Sequence, residues 1–283
     1  MNTQRIVVGY DGSDEAGRAV DWAADEAART RAQLQIVHGY HVSWPGVYYD
    51  VTAELIEAVE RAGEQLVADA AARVREHHDG LDVVGVAIEA PGAAGLLGVS
   101  ETAALLVVGN RGAGGVSNLF LGSVSQQVAT HARTPVVVVR GHCDAVTGPV
   151  VVGVDGSASA EVALRLAFDA AARRSTEVVA IRAYEPPSTV LVPRDAAAEV
   201  ERAALESSLD GWREQYPGVK VQALVTAGRA AKVLIGASHT AQLVVVGSRG
   251  HGGFTGLLLG SVGQQLMQHS ECPVLIAHTP AAR

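Results

Sequence analysis

Two short stretches of this 283-residue chain place residues where they can act together on an anion. The first is Gly109-Asn110-Arg111-Gly112, followed after nine residues by Gly122-Ser123. The second is Gly247-Ser248-Arg249-Gly250, followed after nine residues by Gly260-Ser261. Each leaves an apolar run of strand character and enters a helical stretch that begins at the serine. Glycines admit positive φ and let backbone N–H groups approach an anion closely. A helix start adds unpaired N–H groups, a hydroxyl and the positive end of the helix dipole. With Arg111 or Arg249 as a charged partner, the pattern suits a cradle for a polyphosphate. Glycines in a loop can also serve only a turn, but the recurrence in one strand–loop–helix context favours the cradle.

A carboxylate recurs as well. Asp11-Gly12-Ser13 and Asp155-Gly156-Ser157 each follow a Val-rich strand. An acid there would repel a pyrophosphate, yet it could accept from ribose hydroxyls or help hold Mg2+. The alternative is an aspartate placed for the helix dipole and capping. The lysine-bearing GxxxxGK[ST] loop is absent, and the only lysines, Lys220 and Lys232, lie in the second half. His38-x2-His41 has metal-like spacing without a Cys or carboxylate at a useful interval, and reads as structural. Ser13 and Ser157 lack the surroundings of a nucleophile.

The elements that must position these groups also come twice. Arg5–Ser13 reads RIVVGYDGS and Pro149–Ser157 reads PVVVGVDGS, an offset of 144 at Asp11 and Asp155. The glycine loops and the following Thr134-Pro135 and Cys272-Pro273 openings match at an offset of 138. The second copy is therefore six residues shorter between its second strand and its glycine loop, with Val42–Tyr49 the expected place of the extra residues. Residues 1–141 and 149–283 are the expected domains, joined at the seam Gly141–Gly148.

In the first copy, Val-rich runs predict strands over 5–9, 34–39, 82–88, 104–109 and 134–140. Helical spacing predicts helices over 14–31, 52–77 and 123–132, the second burying Leu55, Val59, Leu66, Ala70 and Val74. Near-continuous apolar strands separated by helices mean an α/β, doubly wound parallel sheet. Such sheets bind ligands at the carboxyl ends of their strands.

The formal charge of −8 and pI near 5.7 lack the basic footprint of nucleic-acid binding. No apolar stretch is long enough to span a membrane. Cys143 and Cys272 form no framework, so reduced thiols and a cytoplasmic protein are expected.

At these residues the chain resembles tandem universal stress proteins, over nearly its whole length. The resemblance rests on VGYDGS and VGVDGS and on the signature G-x2-G-x9-G-[ST], matched at both loops. It implies two Rossmann-like five-stranded domains of strand order 3-2-1-4-5, with ATP between the first and fourth strands. Residue by residue, it assigns nucleotide contacts to Gly9, Asp11 and Gly39 and to their partners Gly153, Asp155 and Ala183. The first phosphate loop is Gly109, Asn110, Arg111, Gly112, Ala113, Gly114 and Gly115, with Gly122, Ser123 and Val124. The second is Gly247, Ser248, Arg249, Gly250, His251, Gly252 and Gly253, with Gly260, Ser261 and Val262. Asn110 against Ser248 and Ala113 against His251 are the departures between the copies. ATP, with or without Mg2+, is the expected cofactor, and a homodimer with an unidentified protein partner the expected assembly. A regulatory stress-response module with little turnover is expected, because no catalytic lysine or general base is evident. The alternative is a slow ATPase or nucleotide-dependent transferase using Asp11 and Asp155 with Mg2+.

Overall fold

The computed structural model describes residues 4–41, 53–114, 121–186, 194–251 and 259–278. The chain divides into two compact units, Met1–Val139 and Arg140–Arg283. In the first, the order is β1 (Arg5–Gly9), α1 (Asp14–Thr30), β2 (Gln33–Tyr40), α2 (Ala53–His77) and β3 (Val83–Glu89). It continues with α3 (Gly92–Ser100), β4 (Leu105–Gly109), α4 (Ser123–His131) and β5 (Val136–Val139). The second repeats the series: β6 (Val150–Gly153), α5 (Ala158–Arg174), β7 (Val178–Tyr184), α6 (Arg194–Gln215) and β8 (Val221–Ala227). It ends with α7 (Ala230–Ser238), β9 (Leu243–Gly247), α8 (Ser261–His269) and β10 (Val274–Ala277).

Within the first unit the strands run β3-β2-β1-β4-β5, and within the second β8-β7-β6-β9-β10, all parallel. Strand order reverses between β1 and β4, and between β6 and β9, the kind of point at which doubly wound sheets bind ligands. Val7, Val8, Leu106, Val107 and Val137 are buried, as strands covered on both faces require.

Helix α1 starts at Ser13, whose side chain accepts from Ala16 N–H, and ends at Arg31 in the left-handed region. Its buried face includes Ala19, Trp22, Ala23 and Ala27, as the spacing predicts. Helix α2 buries Gly63, Val67, Ala70, Ala71 and Val74, whereas Leu55 is exposed. Ala70 and Val74 are thus buried as predicted, Val59 and Leu66 are half-buried, and the buried stripe starts later than predicted.

Helix α3 was not legible in the sequence. Gly92, Gly95 and Gly98 give it poor intrinsic propensity, and no side chain caps it. Packing explains it: a Cβ on Gly95 would strike Ile88, and Leu96 inserts beneath Gly9 of β1. The offset changes from 144 at Tyr40 and Tyr184 to 138 already at His77 and Gln215. The six-residue difference therefore lies before the end of α2; the segment Val42–Tyr49 itself falls outside the described residues.

Candidate functional site

The crevice of the first unit is a cavity of about 310 Å³, at the small end of ligand pockets. Gly9 and Asp11 reach it from the end of β1, and Val37, His38 and Gly39 from β2. Gly92 and Leu96 of α3 close one side. Gly109, Arg111, Gly112, Gly114, Gly122, Ser123 and Val124 line the other. These groups come from three strand ends and two helix starts, and Asp11 and Ala113, which meet there, are 102 residues apart.

Sterics explain several of the glycines. A Cβ on Gly109 would lie 2.8 Å from the Glu15 carbonyl oxygen, and one on Gly39 2.9 Å from that of Ala90. A Cβ on Gly112 would collide with Asp11. Gly12 and Gly156 both sit at φ +83, so the Asp-Gly turn needs a residue without a Cβ.

The loop begins and ends on a backbone clasp: Gly122 N–H donates to Asn110 O at 2.7 Å, and Gly260 N–H to Ser248 O at 2.7 Å. Gly122 and Gly260, not the serines, are the N-caps of α4 and α8, and neither helix has a side-chain cap bond. The first intrahelical donors are Gln126, to Gly122 O, and Gln264, to Gly260 O. Among the described residues no side chain meets the three N–H groups before each. Helices α1 and α5, by contrast, each have one N–H covered by Ser13 or Ser157. The start of α4 faces the cavity. Asn110 Oδ1 is buried with no partner among the described residues, which native interiors rarely tolerate without a bound group nearby.

Asp11 works first as a latch. Its Oδ1 accepts from Ser13 N–H at 3.1 Å and Ser13 Oγ at 2.6 Å, and its Oδ2 accepts from Ala113 N–H at 2.8 Å. Asp155 repeats this with Ser157 N–H at 2.9 Å and His251 N–H at 3.1 Å. The end of the first strand is thus tied to the glycine loop in both copies. Each carboxylate oxygen retains acceptor capacity.

Among the described residues, no three His, Cys, Asp or Glu side chains gather as metal ligands. A Mg2+ here would draw on one carboxylate, Asp11 or Asp155, and otherwise on phosphates and water, a pattern normal for this ion.

The second unit places the aligned groups in the same order. Gly153 packs on Leu234 of α7 as Gly9 does on Leu96. Ala183 replaces Gly39 on β7, and Ser248, Arg249, Gly250 and His251 follow β9. Ser261 and Val262 open α8. Gly115, Gly252 and Gly253 lie outside the described residues.

Some neighbours were not singled out by sequence reasoning. Glu15 holds Arg111 at 3.2 Å, and Ser125 Oγ donates to the Gly109 carbonyl at 2.6 Å. His38 lines the cavity with Nδ1 2.8 Å from Tyr10 O, so its role is structural, as expected, but at the site. Its counterpart Arg182 pairs with Glu201 of α6. Gly63, where α6 has Glu201, lets His38 lie flat in the first unit.

Two doubly wound units, each with a glycine loop at its switch point, define a tandem α/β protein. The universal stress protein family model matches residues 2–140 and again 147–278. A universal stress protein of Mycolicibacterium smegmatis is 40% identical over 286 residues, 96% of this chain and 96% of that protein. One of Mycobacterium tuberculosis is 36% identical with the same coverage. The crystal structure of a universal stress protein from Archaeoglobus fulgidus aligns with a TM-score of 0.73 over 98% of this chain and 99% of its own, at 18% identity, and shares the fold. The chain belongs to the universal stress protein family.

Proposed function

We propose that each copy binds one ATP, the base and ribose in the crevice and the phosphates on the glycine loop. The observation that carries this reading is the uncapped start of α4, aimed with Arg111 into the 310 Å³ cavity. Three backbone donors, a guanidinium and a dipole end form an anion site that is built before any ligand arrives. The second copy repeats the clasp, the latch and the uncapped helix. The domains run over 1–141 and 149–283, with Gly141 and Gly148 at φ +60 and +108 marking the seam.

The bound nucleotide acts as a regulatory ligand with little turnover. Phosphoryl transfer needs an oriented nucleophile and stabilisation of developing charge. Arg111 is already paired with Glu15, and both aspartates are engaged by backbone N–H groups, so neither is poised as a base. The protein works in the cytoplasm, as a homodimer that presents the ATP-dependent surface to a protein partner. The free thiols suit that compartment: burial pushes Cys272 up to about 12, which keeps it neutral and unreactive. No helix among the described residues is long and apolar enough to cross a membrane.

Thermal unfolding with ATP and Mg2+ tests the reading. Saturation at about 100 times Kd should stabilise each site by about 2.7 kcal/mol. No shift at millimolar ATP would overturn it. Turnover on the order of 1 per second would move the protein to the enzyme reading, with Asp11 and Asp155 holding Mg2+.

A further inference from the structure

The two copies anchor the same loop to the same helix through opposite ends of one residue. In the first, the helix supplies Glu15, whose carboxylate holds the Arg111 guanidinium at 3.2 Å and also lies 3.7 Å from Arg18. In the second, the aligned residue is Ser159, whose Oγ donates to the Arg249 backbone carbonyl. The Arg249 side chain is exposed and makes no ion pair among the described residues. Two residues beyond the arginine stands Ala113 in one loop and His251 in the other, with His251 Nδ1 3.9 Å from Asp155 Oδ2. Arg182, which approaches the Asp155-Gly156 turn, is already neutralised by Glu201. The guanidinium of the first crevice is thus spoken for by a carboxylate, and that of the second is not.

We propose that the second crevice is the one that counts phosphates, preferring ATP over AMP far more than the first does. Glu15 and Ser159 set the difference by engaging or releasing the loop arginine. This rests on the reading that both crevices bind adenine nucleotides. In the first copy a terminal phosphate must compete with Glu15 for Arg111 and meets its negative charge. In the second it takes a charge-assisted contact with Arg249 at no such cost. Glu15 and Ser159 lie in the first turns of α1 and α5, where an acidic residue suits the dipole.

The test is hydrogen exchange on the full chain, titrated with ATP and Mg2+ or with AMP, following peptides that cover each glycine loop separately. A hydrogen bond to a charged group predicts an AMP-to-ATP ratio of Kd values about tenfold or more larger at the Arg249 loop than at the Arg111 loop. Ser159→Glu should bring the second ratio down toward the first, and Glu15→Ser should raise the first. Equal ratios in the unaltered chain, or ratios indifferent to both substitutions, would overturn the proposal while leaving nucleotide binding intact. Protection of neither loop by either nucleotide would remove the nucleotide reading itself, and this inference with it.

Discussion

The crevice of the first copy and that of the second share their backbone and differ in their side chains. Gly109 lets α1 and Gly247 lets α5 lie against the strand end, and Asp11 and Asp155 each take a loop N–H. Around this frame, His38 above Gly63 becomes Arg182 paired with Glu201, and Glu15 becomes Ser159. The outer helices diverge further: Ala24, Val74 and His78 of the first copy stand where the second stacks Phe168, Trp212 and Tyr216. One polar tie survives with its donor exchanged. His78 lies 3.7 Å from Asp25, and Tyr216 Oη donates to Asp169 at 2.8 Å. The comparison teaches that the two copies keep the backbone frame around the glycine loop while their charge and core volume drift apart.

The largest expected effect lies where the copies differ most. Phe168 is fully buried against Trp212 and Tyr216, so Phe168→Ala should destabilise the second copy by about 3–5 kcal/mol. Denaturant unfolding followed by Trp212 fluorescence reads this. A cost under about 1 kcal/mol would mean that the aromatic stack adds nothing over the alanine the first copy manages with.

The shared backbone should respond alike in both copies. A Cβ on Gly109 meets the Glu15 carbonyl oxygen at 2.8 Å, and one on Gly247 meets the Ser159 carbonyl carbon at 2.9 Å. Gly109→Ala and Gly247→Ala should each cost roughly 1–3 kcal/mol, seen as faster exchange in β4 or β9. A large cost in one copy alone would break the claim of a common frame. A smaller effect sharpens the contrast. Ser125 Oγ satisfies the Gly109 carbonyl, whereas Gly263 at the aligned position has no hydroxyl. Ser125→Ala should cost about 1 kcal/mol in the first copy.

The last effect is set by pH and is confined to alkaline conditions. Burial, the largest cause, lifts the Cys272 thiol from 9.0 to about 12, against weaker lowering by Ser270, Val244 and Arg140. Its folded pKa is raised, so its contribution to stability is complete below about 9 and is lost as pH rises toward about 12. Cys272→Ala should flatten stability against pH in that window. Thr134 stands at the aligned place in the first copy, which has no such dependence from this position.

Much of this was legible beforehand because it depends on local pattern. Five Val-rich runs per copy and the recurring loop fixed the strands to within one or two residues, since parallel strands buried on both faces show an unmistakable apolar signal. Helix α3 escaped because its three glycines, of which Gly95 packs closely on Ile88, hide its periodicity. The start of α4 at Ser123 was legible, but the capping position of Gly122 was not, because a glycine cap has no side-chain signature. The tie between Glu15 and Arg111 spans 96 residues, and only the folded chain brings the two together. The latch formed by Asp11 is similar: the acid was visible, but its partner, the Ala113 N–H, is backbone and carries no signature in the sequence.

The central claim, two built anion sites for one nucleotide each, is tested most directly by native mass spectrometry of the full chain with increasing ATP and Mg2+. The account predicts added mass in two steps, ending at two ATP per chain, with Asp11→Ala and Asp155→Ala each weakening one step. A chain that keeps its unliganded mass at millimolar ATP would contradict it.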